Sequence, residues 1–186
     1  MSIESPKYKV VERDNKFEIR DYEQYIVAEV DVEASYNGAL NTGFGILAGY
    51  IFGGNSAQAS IAMTAPVIEK PTQKSEKIQM TRPVTASLKQ GQVYTISFSM
   101  PRKYTLETLP QPNDRIIRLR EVPASRMAAL KFSGSLNERL VTKKTAEFME
   151  WLKQKNLNPK SAVASCQYNP PWIPGPFRTN EVIITI

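Results

Sequence analysis

The chain of 186 residues carries 24 Lys and Arg against 18 Asp and Glu, a net charge of +6, and 41% of it is hydrophobic. That is the length and composition of one domain with a full core. Cys166 stands alone and there is no histidine, which excludes an internal disulfide, His-ligated zinc or haem iron, and Ser-His-Asp or Cys-His catalysis.

Residues 16–22 alternate, with Phe17 and Ile19 on one face and Glu18 and Arg20 on the other. Residues 25–33 alternate more cleanly: Ile26, Ala28, Val30 and Val32 face in, and Glu29, Asp31 and Glu33 face out. Period two over this length predicts half-buried antiparallel strands. Residues 36–52 read as a helix of unusual make-up. No charge occurs between Ser35 and Ala59, and six of the nine glycines lie between Gly38 and Gly54. Gly43, Gly45 and Gly49 inside it cost about 3 kcal/mol of helix propensity relative to alanine. Gly45, Gly49 and Gly53, four residues apart, make a smooth stripe beside Phe44, Leu47, Ala48 and Ile51. Three readings stand: tight packing on the sheet, a planar apolar ligand lying on the helix, or a partner helix or second subunit.

Pro66, in a strand-like run over 61–67, implies an edge or a bulge. Residues 69–103 hold seven Lys and Arg against two Glu. With no aromatic before Tyr94, this predicts a solvated hairpin over 78–100, turning near Gly91, rather than a nucleic-acid or membrane surface. A proline-rich connection over 100–114 leads to further strands at 115–122 and 124–133. Residues 137–155 form a second helix with Leu140, Phe148, Trp151 and Leu152 near one face, charges elsewhere, and a capping box at Ser135-Leu136-Asn137-Glu138. Strands at 163–168 and 181–186 follow. The loop between them, with four prolines, holds Trp172 and Phe177 either over a pocket or as a plug in one end of the fold.

Strand phase repeats at an offset of about 100. Phe17 and Ile19 fall on Ile117 and Leu119, Ala28 on Ala128, Val30 on Leu130, and Ser35 on Ser135. The expectation is a single α+β domain over 1–186. Its barrel-like antiparallel β-sheet comes from two pseudo-symmetric ββαββ halves, about 16–100 and 115–186, with two α-helices packed outside. Paired carboxylates, phosphate-cradling glycines and metal-ligand spacing do not occur, so no enzyme is expected. No apolar run reaches transmembrane length, the N-terminus has no apolar leader, and the lone thiol suits a reducing, cytoplasmic compartment.

Several runs together resemble the SOUL haem-binding family. They are Phe17 to Tyr22, Gly49 to Asn55, the Met63-Thr64-Ala65-Pro66-Val67 run, Ser97 to Pro101, Phe132 to Gly134, Tyr168 to Trp172, and Arg178 to Val182. The resemblance implies a two-half barrel that binds haem or another tetrapyrrole in a shallow apolar site. It places that site at Phe44, Leu47, Ala48 and Ile51 of the first helix, with Trp172 from the loop. No Lys or Arg stands on that helix to pair with propionates. The expected partner is a small, hydrophobic, planar ligand. The smooth helix also suits a homo-oligomer, and an effector-sensing or protein-interaction module that binds no haem is the alternative.

Overall fold

The computed structural model describes residues 4–72, 92–169 and 173–186. Among the described residues nine strands form one antiparallel sheet: β1 (Tyr8–Asp14), β2 (Phe17–Tyr22), β3 (Tyr25–Glu33), β4 (Val67–Pro71), β5 (Val93–Ser99), β6 (Arg118–Val122), β7 (Ser125–Phe132), β8 (Ala164–Gln167) and β9 (Asn180–Thr185). Helices α1 (Tyr36–Ile51) and α2 (Glu138–Gln154) follow β3 and β7. The strand order is β1-β2-β7-β9-β8-β4-β5-β3-β6. Without β1, the order reads the same from both ends once β2 to β5 are exchanged with β6 to β9. At the crossings between the halves, Tyr22 pairs with Ser125 and Tyr25 with Val122.

The alternation of the strands decides where the helices sit. Ala28 and Val30 of β3, with Ile96 and Phe98 of β5, bury against Ala39, Leu47, Tyr50 and Ile51 of α1. Ala128 and Leu130 of β7, with Val182 and Ile184 of β9, bury against Phe148, Trp151 and Leu152 of α2. Both helices thus lie on one side of the curled sheet. The other side packs Tyr22, Met127, Ala129, Ala164, Cys166 and Ile183, with no helix over them among the described residues.

The structure corrects several boundaries. β1 was not predicted. It is exposed at all but one residue, so no core pattern marks it. Pairing with β2 and the Trp151 Nε1 donation to Asp14 Oδ2 at 3.0 Å hold it. The 61–67 run is no strand before Val67, and β4 is no edge, since it pairs with both β5 and β8. α2 is capped by Asn137, whose side chain accepts from the Leu140 N–H at 2.9 Å. Ser135 is therefore not its cap, and the two helices start 102 rather than 100 residues apart. The hairpin segment at 78–84 and its turn lie outside the described residues. Phe177 is 78% exposed and plugs nothing.

Candidate functional site

α1 begins at Ser35, whose hydroxyl accepts from the Gly38 N–H at 3.4 Å. It carries no acid in its first turn and no base in its last. Leu47 and Ile51 are 0% and 1% exposed and point into the core, so two of the expected site residues hold the helix on the sheet from below. Phe44 is half-buried, edge-on to Phe98 at 5.3 Å, and Ala48 is half-buried too. The solvent side is made by Asn41, Thr42, Gly45 and Gly49, with Phe52 just past the helix end at 65% exposure. Trp172 lies outside the described residues.

The glycines divide by what they meet. A Cβ on Gly43 would stand 2.4 Å from Cγ1 and 2.6 Å from Cβ of Ile96, whereas Gly45 and Gly49 have nothing within 4 Å. Tight packing on the sheet therefore belongs to Gly43, a position outside the stripe. Gly53 is not part of the helix. It turns the chain at φ +114°, and Gly54 brings its backbone against the Gly49 carbonyl. Asn55 locks that turn, donating to the Tyr50 and Ala59 carbonyls at 3.0 and 2.7 Å and accepting from the Ala57 and Ala59 N–H groups. The outcome is a flat, uncharged, rigidly held helix face.

Opposite substitution effects are expected. Gly43→Ala should destabilise by about 1–3 kcal/mol through overpacking. Gly49→Ala should stabilise the free chain by about 0.5–1 kcal/mol through helix propensity. Urea unfolding of both variants checks the pair, and two effects of the same sign would contradict this division.

The helix-free side holds a cleft of about 420 Å³ lined by Tyr25, Val27, Ser97, Met127 and Ile183 among others. Glu29 and Arg120, which line it, pair with each other, and a second ion pair lies on the same strands. Arg120 Nη2 donates to Glu29 Oε2 at 3.0 Å, and Arg118 bridges Asp31 at 3.0 Å. Burial acts to raise the Asp31 carboxyl, but hydrogen bonds from Arg118 and Thr95 outweigh it and hold the group below its ordinary value. Cys166 is fully enclosed, and burial pushes its thiol up, which removes it as a nucleophile or ligand. Among the described residues, no group of three or more His, Cys, Asp or Glu is placed to hold a metal, and no helix is long and apolar enough to cross a membrane.

This curled antiparallel sheet with two outer helices gives the chain an α+β fold. The chain belongs to the SOUL heme-binding protein family, whose model matches residues 3–185. No curated protein matches it. Its fold is similar to that of the EcmrR C-terminal domain, with TM-score 0.66 at 10% identity over 96% of each chain. EcmrR in its complex with DNA gives TM-score 0.63 at 10% identity, over 90% of this chain and 56% of that one. A hydrolase from Listeria innocua gives 0.57 at 11% identity, over 94% and 93%. At these identities the likeness is one of fold.

Proposed function

We propose that the chain is a non-catalytic, cytoplasmic binding protein for a flat hydrophobic ligand, haem or another tetrapyrrole, held against the outer face of α1. The observation that carries this reading is the open, uncharged surface over Gly45 and Gly49. A helix face that only meets water is normally charged, as α2 is, with its Glu, Lys and Arg residues. A face without side chains instead lets a planar molecule approach the backbone. Phe44, Ala48 and Phe52 would border the macrocycle, and Leu47 and Ile51 would keep the floor rigid.

These residues fit the macrocycle rather than its metal. The chain has no imidazole and its thiol is enclosed. A bound haem would supply its own iron chemistry, while the chain supplies an apolar floor. Recognition then rests on the plane. Haemin and iron-free protoporphyrin IX should bind within about tenfold of each other, a gap of about 1.4 kcal/mol. Absorbance titrations check this. A low-spin six-coordinate haemin spectrum lost on changing a single Met or Tyr would contradict it, as would failure of both porphyrins to bind.

The second reading is an effector-sensing or protein-interaction module without haem, with α1 meeting a second copy. The exposed Phe52 beside the glycines favours it. Light scattering on the unliganded chain separates the two, since only this reading expects a dimer lost on Gly49→Glu. We also infer that the single domain is a repeat of about 16–100 and 115–186, supported by the two-ended symmetry of the strand order.

A further inference from the structure

Neither helix covers the middle of the sheet. α1 packs on β3 and β5 and α2 on β7 and β9, while β4 and β8 run side by side between them. On the helix-bearing side this leaves a cavity of about 500 Å³, within the usual size of a small-molecule site. Glu69 lines it from β4, where it pairs with Ile96 on one side and Ser165 on the other. Tyr36 and Tyr94, edge to face with centroids 5.9 Å apart, line it from α1 and β5, and Met149 from α2.

Glu69 is 2% exposed, and neither of its carboxylate oxygens has a hydrogen-bond partner among the described residues. The Tyr36 hydroxyl beside it is engaged with Ser165 Oγ at 2.9 Å, and its nearness offsets only part of what burial does to the carboxyl. A buried carboxyl left without a partner opposes folding, and a donor or positive charge in the cavity relieves it. Among the described residues no Lys or Arg lines the cavity, and its other charged group is a second acid, Glu138. Aromatic walls beside a carboxylate suit an ammonium group with an apolar body.

We propose that this cavity binds a compact organic cation, an amine or quaternary ammonium carrying an apolar group, with Glu69 as its counter-ion and Tyr36 and Tyr94 as its aromatic wall. The site lies between the helices, away from the exposed face of α1, and does not rest on the tetrapyrrole reading.

Binding is coupled to a proton. Burial pushes the Glu69 carboxyl up to about 8. The groups facing it are Tyr36 from α1 and Tyr94 from β5, both raised by burial and neutral below pH 10, and Glu138 from α2; Ser165 from β8 does not titrate. At pH 7 most of the chains hold that proton, and a cation must displace it.

The test is calorimetric titration of the full chain with benzyltrimethylammonium at pH 7, in phosphate and in HEPES. The expected result is release of close to one proton, affinity rising nearly tenfold from pH 6 to 7 and levelling above pH 9, and neutral benzyl alcohol at least tenfold weaker. Glu69→Gln should weaken the cation at least tenfold and abolish both the proton release and the pH dependence. Met149→Trp, which fills the cavity from a 41% exposed position, should block the cation with Glu69 intact. Protoporphyrin binding should be unchanged in both variants. No cation binding up to millimolar concentration, equal binding of benzyl alcohol, or unweakened binding by either variant would overturn the proposal.

Discussion

Replacing Arg20 with methionine is expected to destabilise the fold by about 3–5 kcal/mol, because it leaves a buried acid without its countercharge. Arg20 and Glu181 are 2% and 3% exposed. Two guanidinium nitrogens of Arg20 donate to the two carboxylate oxygens of Glu181 at 2.8 and 2.6 Å. Arg20 Nε donates to Glu18 at 2.7 Å, and its guanidinium lies 4.4 Å from the Tyr8 ring centroid. Tyr168 donates to Glu181 Oε2 at 2.6 Å. β7 separates the two strands that carry the pair. Ala129 presents only a methyl group there, which leaves room for the arginine to reach across. In the variant only the Tyr168 donation remains on Glu181. Adding Glu181→Leu should recover much of the loss, since a buried pair replaced by apolar residues is often neutral. Urea unfolding of the wild type, both single variants and the double variant measures this. A loss under about 1 kcal/mol, of the size of an exposed pair, would contradict it.

The second large effect is a loss of stability as pH rises. The Glu69 carboxyl moves from an ordinary value of 4.5 to about 8 on folding, because burial disfavours its charge. Between those values the folded chain holds a proton that the unfolded chain has released. The stability tied to the neutral carboxyl is complete below about pH 4.5 and is lost as pH rises toward 8, at about 1.4 kcal/mol per unit and roughly 3–5 kcal/mol in all. Glu69→Gln removes that slope. The lowered carboxylates of Asp21, Asp31 and Glu147 act with the opposite sign at acid pH, and are common to both proteins. The difference between wild type and variant in urea unfolding from pH 4 to 9 therefore isolates Glu69. Parallel curves would contradict the burial of its charge.

Both effects arise where the sequence was hardest to read. Alternation placed Phe17 and Ile19 against Glu18 and Arg20, and each pair does occupy its own face. The expectation that polar faces meet water failed at Arg20 because the curled sheet closes that side over it, with Glu181 161 residues away. Glu69 likewise read as one acid among many. Its burial follows from the central pairing of β4 with β8, which no local pattern encodes. The strands of the core were legible because their apolar residues keep strict phase, whereas β1 has no buried face to give a signal. The missing charges on α1 marked the helix as unusual. Which glycine packs and which lies open depends on how α1 lies over Ile96, a tertiary fact.

The central claim is that the open face of α1 is where a flat ligand lies. Amide chemical-shift mapping of the 15N-labelled chain with diamagnetic zinc protoporphyrin IX tests it most directly. Shifts centred on Thr42, Gly45, Gly49 and Phe52 are expected, with the helix-free cleft undisturbed. Shifts centred instead on Val27, Ser97 and Met127, on the opposite side of the sheet, would contradict it.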